Sequence, residues 1–344
     1  MSNFTVSPNQ AKKFIKKCMK VQEVPLLKSA PGMGKSDLIR SIAEELGLLV
    51  IDVRLAQIEA VEMNGYPDLA GEYATYKQMD IFPTQKTPIP AGYNGFLIFL
   101  DELTQAKKDV QGAAHKLILD RMVGQEKLHD MAFIVAAGNR AQDRAASTGL
   151  ITSLQSRLIH LTLHVDFEND FFPYALNEGY DPRILSFLNF RTDAFNNFDP
   201  LHSGDTYACS RTWFKLHKLI KDEPEIGHSW VPLIAGTIGE GAAAEFKTFC
   251  GIWQSLPEVA SITSNPSGAN LPSDSQTKYA MIGMLTTKVT KENLPSFVTY
   301  VRRMEPELQL VFVRLVAKSF IEALRVPEFS KLLRDFTEEM RAYS

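Results

Sequence analysis

The stretch that most constrains this chain is Ser29-Ala30-Pro31-Gly32-Met33-Gly34-Lys35-Ser36, set between a short apolar run, Val24 to Leu27, and a segment of helical periodicity. At a junction of strand and helix such a loop is a cradle for phosphate. Gly32 and Gly34 let the backbone curl so that successive N–H groups face an anion, and the helix N-terminus adds its dipole. Lys35 is placed to reach the β- and γ-phosphates, and the Ser36 hydroxyl to ligate Mg²⁺. The usual pattern begins with Gly, and Ser29 stands in that place. The departure leaves the phosphate-facing turns at Gly32 and Gly34 intact.

Downstream, Leu38, Ile39, Ile42, Ala43 and Leu46 form an apolar helix face that Gly47 terminates. Leu48 to Val53 is then an apolar run broken only by Asp52, as expected of a strand buried on both faces. The order strand, loop, helix, strand implies an α/β fold with a parallel sheet. A second apolar run, Phe96 to Leu100, ends in Asp101-Glu102, where parallel sheets place their ligand sites. Asp101 would hold Mg²⁺ through its water shell, and Glu102 would orient the attacking water or take its proton. A third run, Met131 to Ala137, ends in Gly138-Asn139, whose carboxamide can donate to a γ-phosphate and accept from the lytic water.

Two arginines complete the set. Arg157 precedes a further strand, Leu158 to Val165, and so lies at the rim of the domain, placed to reach a neighbour's γ-phosphate. Arg140 and Arg144 compete for that role. Arg211, in the first turn of a helix carrying Trp213, Leu216, Leu219 and Ile220 on one face, opposes the helix dipole unless an anion is near. That placement favours a nucleotide contact. His160 and His164 are no metal pair, because four residues of strand set them ~13 Å apart.

The rest of the chain sets the frame. At 344 residues and 45% apolar, it is long enough for two or three domains. A net charge of −3 gives no overall pull toward nucleic acid or membrane. Cys18, Cys209 and Cys250 are widely spaced core fillers rather than a disulfide or zinc framework. No apolar run reaches the ~20 residues of a bilayer span and the N-terminus lacks a signal-peptide core, so the expected location is cytoplasmic. In the first helix, Ala11, Phe14, Ile15, Cys18 and Met19 make a stripe opposite Lys12, Lys13, Lys16, Lys17 and Lys20. This is a docking helix with a solvated lysine face or, alternatively, a nucleic-acid or membrane surface. The tract from Leu55 to Gly95 carries Tyr66, Tyr73, Tyr76, Phe82 and Tyr93 among prolines, and packing or gripping a substrate fits it equally. Leu256 to Ser275, rich in Ser, Pro, Asn and Gly, reads as a linker before a C-terminal helical extension.

With these motifs in this order the chain resembles the AAA+ ATPases, and within them the MoxR-like group. Gly34-Lys35-Ser36, Asp101-Glu102 (Walker B), Asn139 (sensor 1), Arg157 (finger) and Arg211 (sensor 2) carry the resemblance. So do Arg54-Leu55-Ala56-Gln57, Asp101-Glu102-Leu103-Thr104-Gln105-Ala106 and Ala136-Ala137-Gly138-Asn139-Arg140. It implies a P-loop domain with a five-stranded parallel sheet over residues 1–165, a helical lid over 166–256, and a linker with a C-terminal extension over 257–344. It also implies a hydrolase that turns ATP and water into ADP and phosphate, with ATP and Mg²⁺ bound at the interfaces of a ring, usually a hexamer. The aromatic tract would hold the family's inserted hairpin near the pore. The resemblance further implies chaperone-like remodelling, often with a partner bearing a von Willebrand factor A domain. The alternatives are a nucleic-acid motor or loader of the same superfamily, and a weakly hydrolysing nucleotide-binding scaffold.

Overall fold

The computed structural model describes residues 4–72, 75–77, 79–143 and 149–342. Tyr73 and Arg144 lie outside them. The chain divides into two compact units. The first runs through Asp166 and includes Asp199–His202; the second comprises Phe167–Phe198 and the chain from Ser203 onward.

The first unit is built on five parallel strands, β1 (Val24–Ser29), β2 (Leu48–Arg54), β3 (Gly95–Asp101), β4 (Ala132–Asn139) and β5 (Leu158–Thr162), in the order β2-β3-β4-β1-β5. This is the five-stranded α/β architecture that the motif order implies. Helices α1 (Pro8–Lys20), α2 (Lys35–Leu46) and α3 (Lys108–Asp120) flank it. Alternate residues of one strand go to opposite faces. Leu26, Ile98, Leu100, Ile134 and Ala136 pack with Val110, Ala114 and Leu117 of α3. Leu27, Leu97, Phe99, Val135 and Ala137 pack with Ile15 of α1 and Ile39 and Ile42 of α2. Burial on both faces is why these strands read as unbroken apolar runs.

α1 starts at a capping box in which Ser7 and Gln10 satisfy each other's backbone N–H. Ala11, Ile15, Cys18 and Met19 are buried, while Phe14, at the margin of the stripe, is exposed. Lys12 and Lys16 both pair with Glu45 of α2, which holds the Glu45 carboxyl down at about 2 through their hydrogen bonds and charge. α1 is therefore docked on α2, the first of the two readings of its basic face. α3 ends at Arg121, with φ 51°, rather than near Gly124, which belongs to a two-residue hairpin, Met122–Val123 with Glu126–Lys127.

The aromatic tract divides. Phe82 is buried in the sheet core. Tyr66–Asp68 and Thr75–Lys77 form an antiparallel hairpin on which Tyr66, Leu69 and Tyr76 are exposed, and Tyr93 is exposed beyond it.

The second unit contains α4 (Pro182–Phe190), α5 (Ser210–Ile220), α6 (Val231–Ile238), α7 (Glu240–Gln254), α8 (Ser275–Thr287), α9 (Leu294–Val301), α10 (Pro306–Ser319) and α11 (Pro327–Ala342). Trp213 of α5 sits among Phe187 and Phe246 with ring centroids 5.8 and 6.0 Å away. Leu219, expected on the same apolar face as Trp213, is exposed instead. α8 packs along both α4 and α10, so the helices on either side of the composition break belong to one body. Residues 256–275 are accordingly folded rather than a free linker. Their short helix Val259–Ser264 buries Ile262 completely. The carbonyls of Pro266 and Ala269 accept from Arg303, and that of Asn270 from the Tyr300 hydroxyl. A polar, Pro-rich segment can be ordered when its backbone acceptors are satisfied this way.

Among the described residues no helix is long and apolar enough to cross a membrane. Cys18, Cys209 and Cys250 are buried and free, as core fillers should be. Burial pushes the Cys250 thiol up to about 12, which leaves it unreactive.

Candidate nucleotide site

The phosphate loop joins β1 to α2 at the C-terminal edge of the sheet. Gly32 and Gly34 both have φ 75°, the left-handed region open to glycine, and Gly34 is the N-cap of α2. Among the described residues no side chain caps that helix end. The helix N-terminus presents its dipole and first N–H groups at the loop, and a Cβ built on Gly34 would meet nothing within 4 Å. The loop has the shape and donors a phosphate requires.

Register brings the other motif residues to the same edge. Ser29 of β1 is paired with Asn139 of β4, and β3, carrying Asp101, lies on the far side of β4. The Lys35 Nζ donates to the Ser29 hydroxyl at 3.0 Å and to the Asn139 Oδ1 at 3.3 Å. It also lies 3.4 Å from the carbonyls of Ser29 and Ala30. Ser29 is fully buried and donates its own hydroxyl hydrogen to the Ala30 carbonyl at 2.8 Å. The residue that departs from the glycine pattern therefore supplies an acceptor that anchors the loop lysine.

β3 ends in a sharp turn. Glu102 has φ 59°, a conformation that costs a non-glycine residue energy, and its N–H donates to its neighbour Asp101 Oδ1 at 2.8 Å. Leu103 N–H then donates to the Ala137 carbonyl at 2.9 Å, and the Thr104 hydroxyl meets the Asn139 backbone. Asp101 and Glu102 are both half-buried at the open edge. Among the described residues no group of three His, Cys, Asp or Glu is gathered to hold a metal unaided. The Ser36 hydroxyl and the Asp101 carboxylate are oxygen donors of the kind that suits Mg²⁺, which keeps several waters and needs few protein ligands.

Arg157 is elsewhere. It precedes β5, whose first residue, Leu158, pairs with Val24 at the start of β1. Five strand steps of ~3.3 Å put it ~16 Å from the loop end of β1, at the opposite edge of the sheet. Its guanidinium donates to the Ser153 carbonyl at 2.6 Å and lines a cavity of about 320 Å³ with Arg121 and Glu23. Arg140, the competing arginine within the described residues, is bracketed locally by the buried Asp143 at 2.8 Å. Arg211 belongs to the second unit, exposed in the first turn of α5. The structure thus gathers the loop, Asp101, Glu102 and Asn139 on one edge and leaves Arg157 off it. Thr104 and the Ser29 hydroxyl escape a reading by motif, because the first meets its partner through the pairing of β3 with β4 and the second through the folded loop.

A search of curated proteins finds no match. Among solved structures, a mutant RuvB of Thermotoga maritima is 18% identical over 76% of this chain and 79% of its own, with a TM-score of 0.36. The NtrX of Brucella abortus is 13% identical over 98% of this chain and 69% of its own, with a TM-score of 0.38. Both are too distant to argue from. Residues 25–158, from β1 to the first residue of β5, match the family described as ATPase family associated with various cellular activities (AAA). That stretch is an AAA ATPase-type domain.

Proposed function

We propose that the chain hydrolyses ATP as an oligomeric, MoxR-like AAA+ machine that remodels a protein partner. The observation that carries this reading is the joining of Lys35 to Asn139 at the edge where Asp101 and Glu102 emerge. Lys35 and the N–H groups at the start of α2 bind the phosphates. Glu102 orients water or accepts its proton, and Asn139 contacts the γ-phosphate and that water. Ser36 and Asp101 would hold Mg²⁺, which neutralises phosphate charge when bound. Arg157, ~16 Å from its own loop by strand rise, serves the loop of a neighbouring copy in a ring, by family analogy a hexamer. Arg211 contacts the nucleotide from a lid formed by residues 166–256, and residues 257–344 extend that lid for contacts.

The exposed Tyr66, Leu69 and Tyr76 of the hairpin suit contact with a protein substrate. A partner bearing a von Willebrand factor A domain follows from the resemblance. The alternative of a nucleic-acid motor rests on the lysine face of α1, where Lys12 and Lys16 share the single carboxylate of Glu45 while Lys13, Lys17 and Lys20 are exposed. The test is ATP turnover by the wild type and by Glu102→Gln, together with the mass of the assembly in ATP and identification of what the trapped variant captures. The variant should bind ATP, assemble and stall. Rapid hydrolysis by it would remove Glu102 as the general base, and a monomer in ATP would remove the ring.

A further inference from the structure

Thr104 lies on the turn after β3 and is 4% exposed. Its hydroxyl does two things at once: it accepts from the Asn139 N–H at 3.1 Å and donates to the Asn139 carbonyl at 3.2 Å. One hydroxyl supplies one hydrogen and two lone pairs, so both bonds form together and fix the rotor. The contact is close-packed as well as polar. A Cβ added to Gly138 would come within 2.5 Å of the Thr104 Oγ1 and 2.7 Å of its Cγ2. Gly138 is thus glycine because the threonine fills the space beside it. The turn is further stitched to β4 by Leu103 N–H on the Ala137 carbonyl.

These bonds join the two parts of the site that must act on one water. Glu102 is two residues before Thr104, on a backbone held at φ 59°. Asn139 is held at its backbone by Thr104 and at its carboxamide by Lys35. From this geometry we infer that Thr104 is a positioning residue, a hydroxyl clamp that sets Asn139 against the Glu102 turn for ATP hydrolysis. The inference rests on the hydrolytic reading above. Thr104 acts through Asn139, whose backbone its hydroxyl holds. Its burial with both bonds satisfied means that removing the hydroxyl alone leaves two backbone groups to find other partners.

The test compares Thr104→Val, which keeps shape and drops the hydroxyl, with Thr104→Ser, which keeps the hydroxyl. Thr104→Val should lower kcat roughly 10- to 100-fold, the range for a group that orients a reacting one without touching it. The KM for ATP and the affinity for a non-hydrolysable ATP analogue should change little, because Lys35 and the loop are untouched. Thr104→Ser should recover most of the rate. In an Asn139→Ala background, adding Thr104→Val should cost little more, since both act through one group. A Thr104→Val rate equal to wild type would overturn the inference, as would equal losses in kcat and analogue affinity, the pattern of general loosening. A full further loss in the Asn139→Ala background would do the same. Amide exchange at Asn139 supplies a second readout: protection should fall in Thr104→Val and return in Thr104→Ser, and unchanged protection would remove the clamp at any rate. Failure of the underlying reading looks different. There the wild type itself shows no ATP turnover, and the positioning role falls with it.

Discussion

In the first unit the polar side chains gather where strands end and remain half-open, with Lys35, Asp101, Glu102 and Asn139 along one edge. In the second, two charges are enclosed. Arg183 and Asp181 meet at 2.6 Å with side chains 8% and 2% exposed. The guanidinium also donates to the Ile220 carbonyl at 2.8 Å, and the carboxylate caps α4 through the Arg183 N–H. Asp181 N–H donates to His217 Nδ1, whose ring stacks on Tyr180 at 4.7 Å. Both charged groups thus bond to partners within their own unit. The difference that separates them is exposure: the ions of the first stand half-buried at an open strand edge, while those of the second are sealed among buried side chains. Substitutions at the first should cost rate and little stability, and substitutions at the second the reverse.

The largest effect expected is at Arg157. Arg157→Ala should lower ATP turnover of the assembled protein by ~10³-fold or more, with thermal unfolding nearly unchanged, because its bond to the Ser153 carbonyl is an exposed contact. Full turnover in the assembled variant would place the trans group elsewhere. In the second unit, Arg183→Met should cost about 3–5 kcal/mol of stability, since it strands the Asp181 carboxylate. Asp181→Asn combined with Arg183→Met should recover part of this. All three tryptophans, Trp213, Trp230 and Trp253, lie in the second unit, so their fluorescence during urea unfolding reads that unit alone. If Arg183→Met changed turnover but not the urea midpoint, the division of roles would be broken.

A smaller cost is expected where α8 crosses α4. A Cβ on Gly283 would fall 1.6 Å from the Ser186 Oγ and 2.5 Å from its Cβ. Gly283→Ala must therefore push the helices apart, at about 1–3 kcal/mol by the same fluorescence measurement. Ser186→Gly in the same chain should relieve it. A lack of relief would show that the backbone, not the serine, sets the approach.

How much of this could be read from the sequence follows from where each contact reaches. The phosphate loop and the apolar runs before Asp101 and Asn139 are local patterns, and sheet and site edge follow from them. The Thr104–Asn139 clamp spans 35 residues and depends on β3 and β4 being neighbours, so spacing alone does not reveal it. Ser29 shows as a departure from a pattern, while its hold on Lys35 needs the folded loop. The second unit is harder to read because α8 is apolar around its circumference, burying Ala280 through Thr286 without a break. No stripe then marks which side faces α4. The linker expected at 256–275 fails for a related reason: composition counts its polar residues but not Arg303 and Tyr300, which satisfy its carbonyls.

The smallest effect tests the enclosed cluster by pH. His217 is 7% exposed, and burial holds its pKa below the usual histidine value, with Lys218 and Lys221 adding to the shift and Asp181 and Asp222 opposing it. Its Nδ1 must stay unprotonated to accept from the Asp181 N–H at 3.0 Å. The folded state thus binds this proton less readily than the unfolded chain, whose histidine titrates near ~6.5. The stability contributed by neutral His217 is complete above that value and is lost as pH falls through the folded pKa. The slope for one proton is at most ~1.4 kcal/mol per pH unit. Urea midpoints read by tryptophan should fall between pH 7 and pH 5, and His217→Asn, which keeps an acceptor but cannot titrate, should flatten the decline. An equal decline in both proteins would move the acid sensitivity to other groups and leave the stacked imidazole a packing element only.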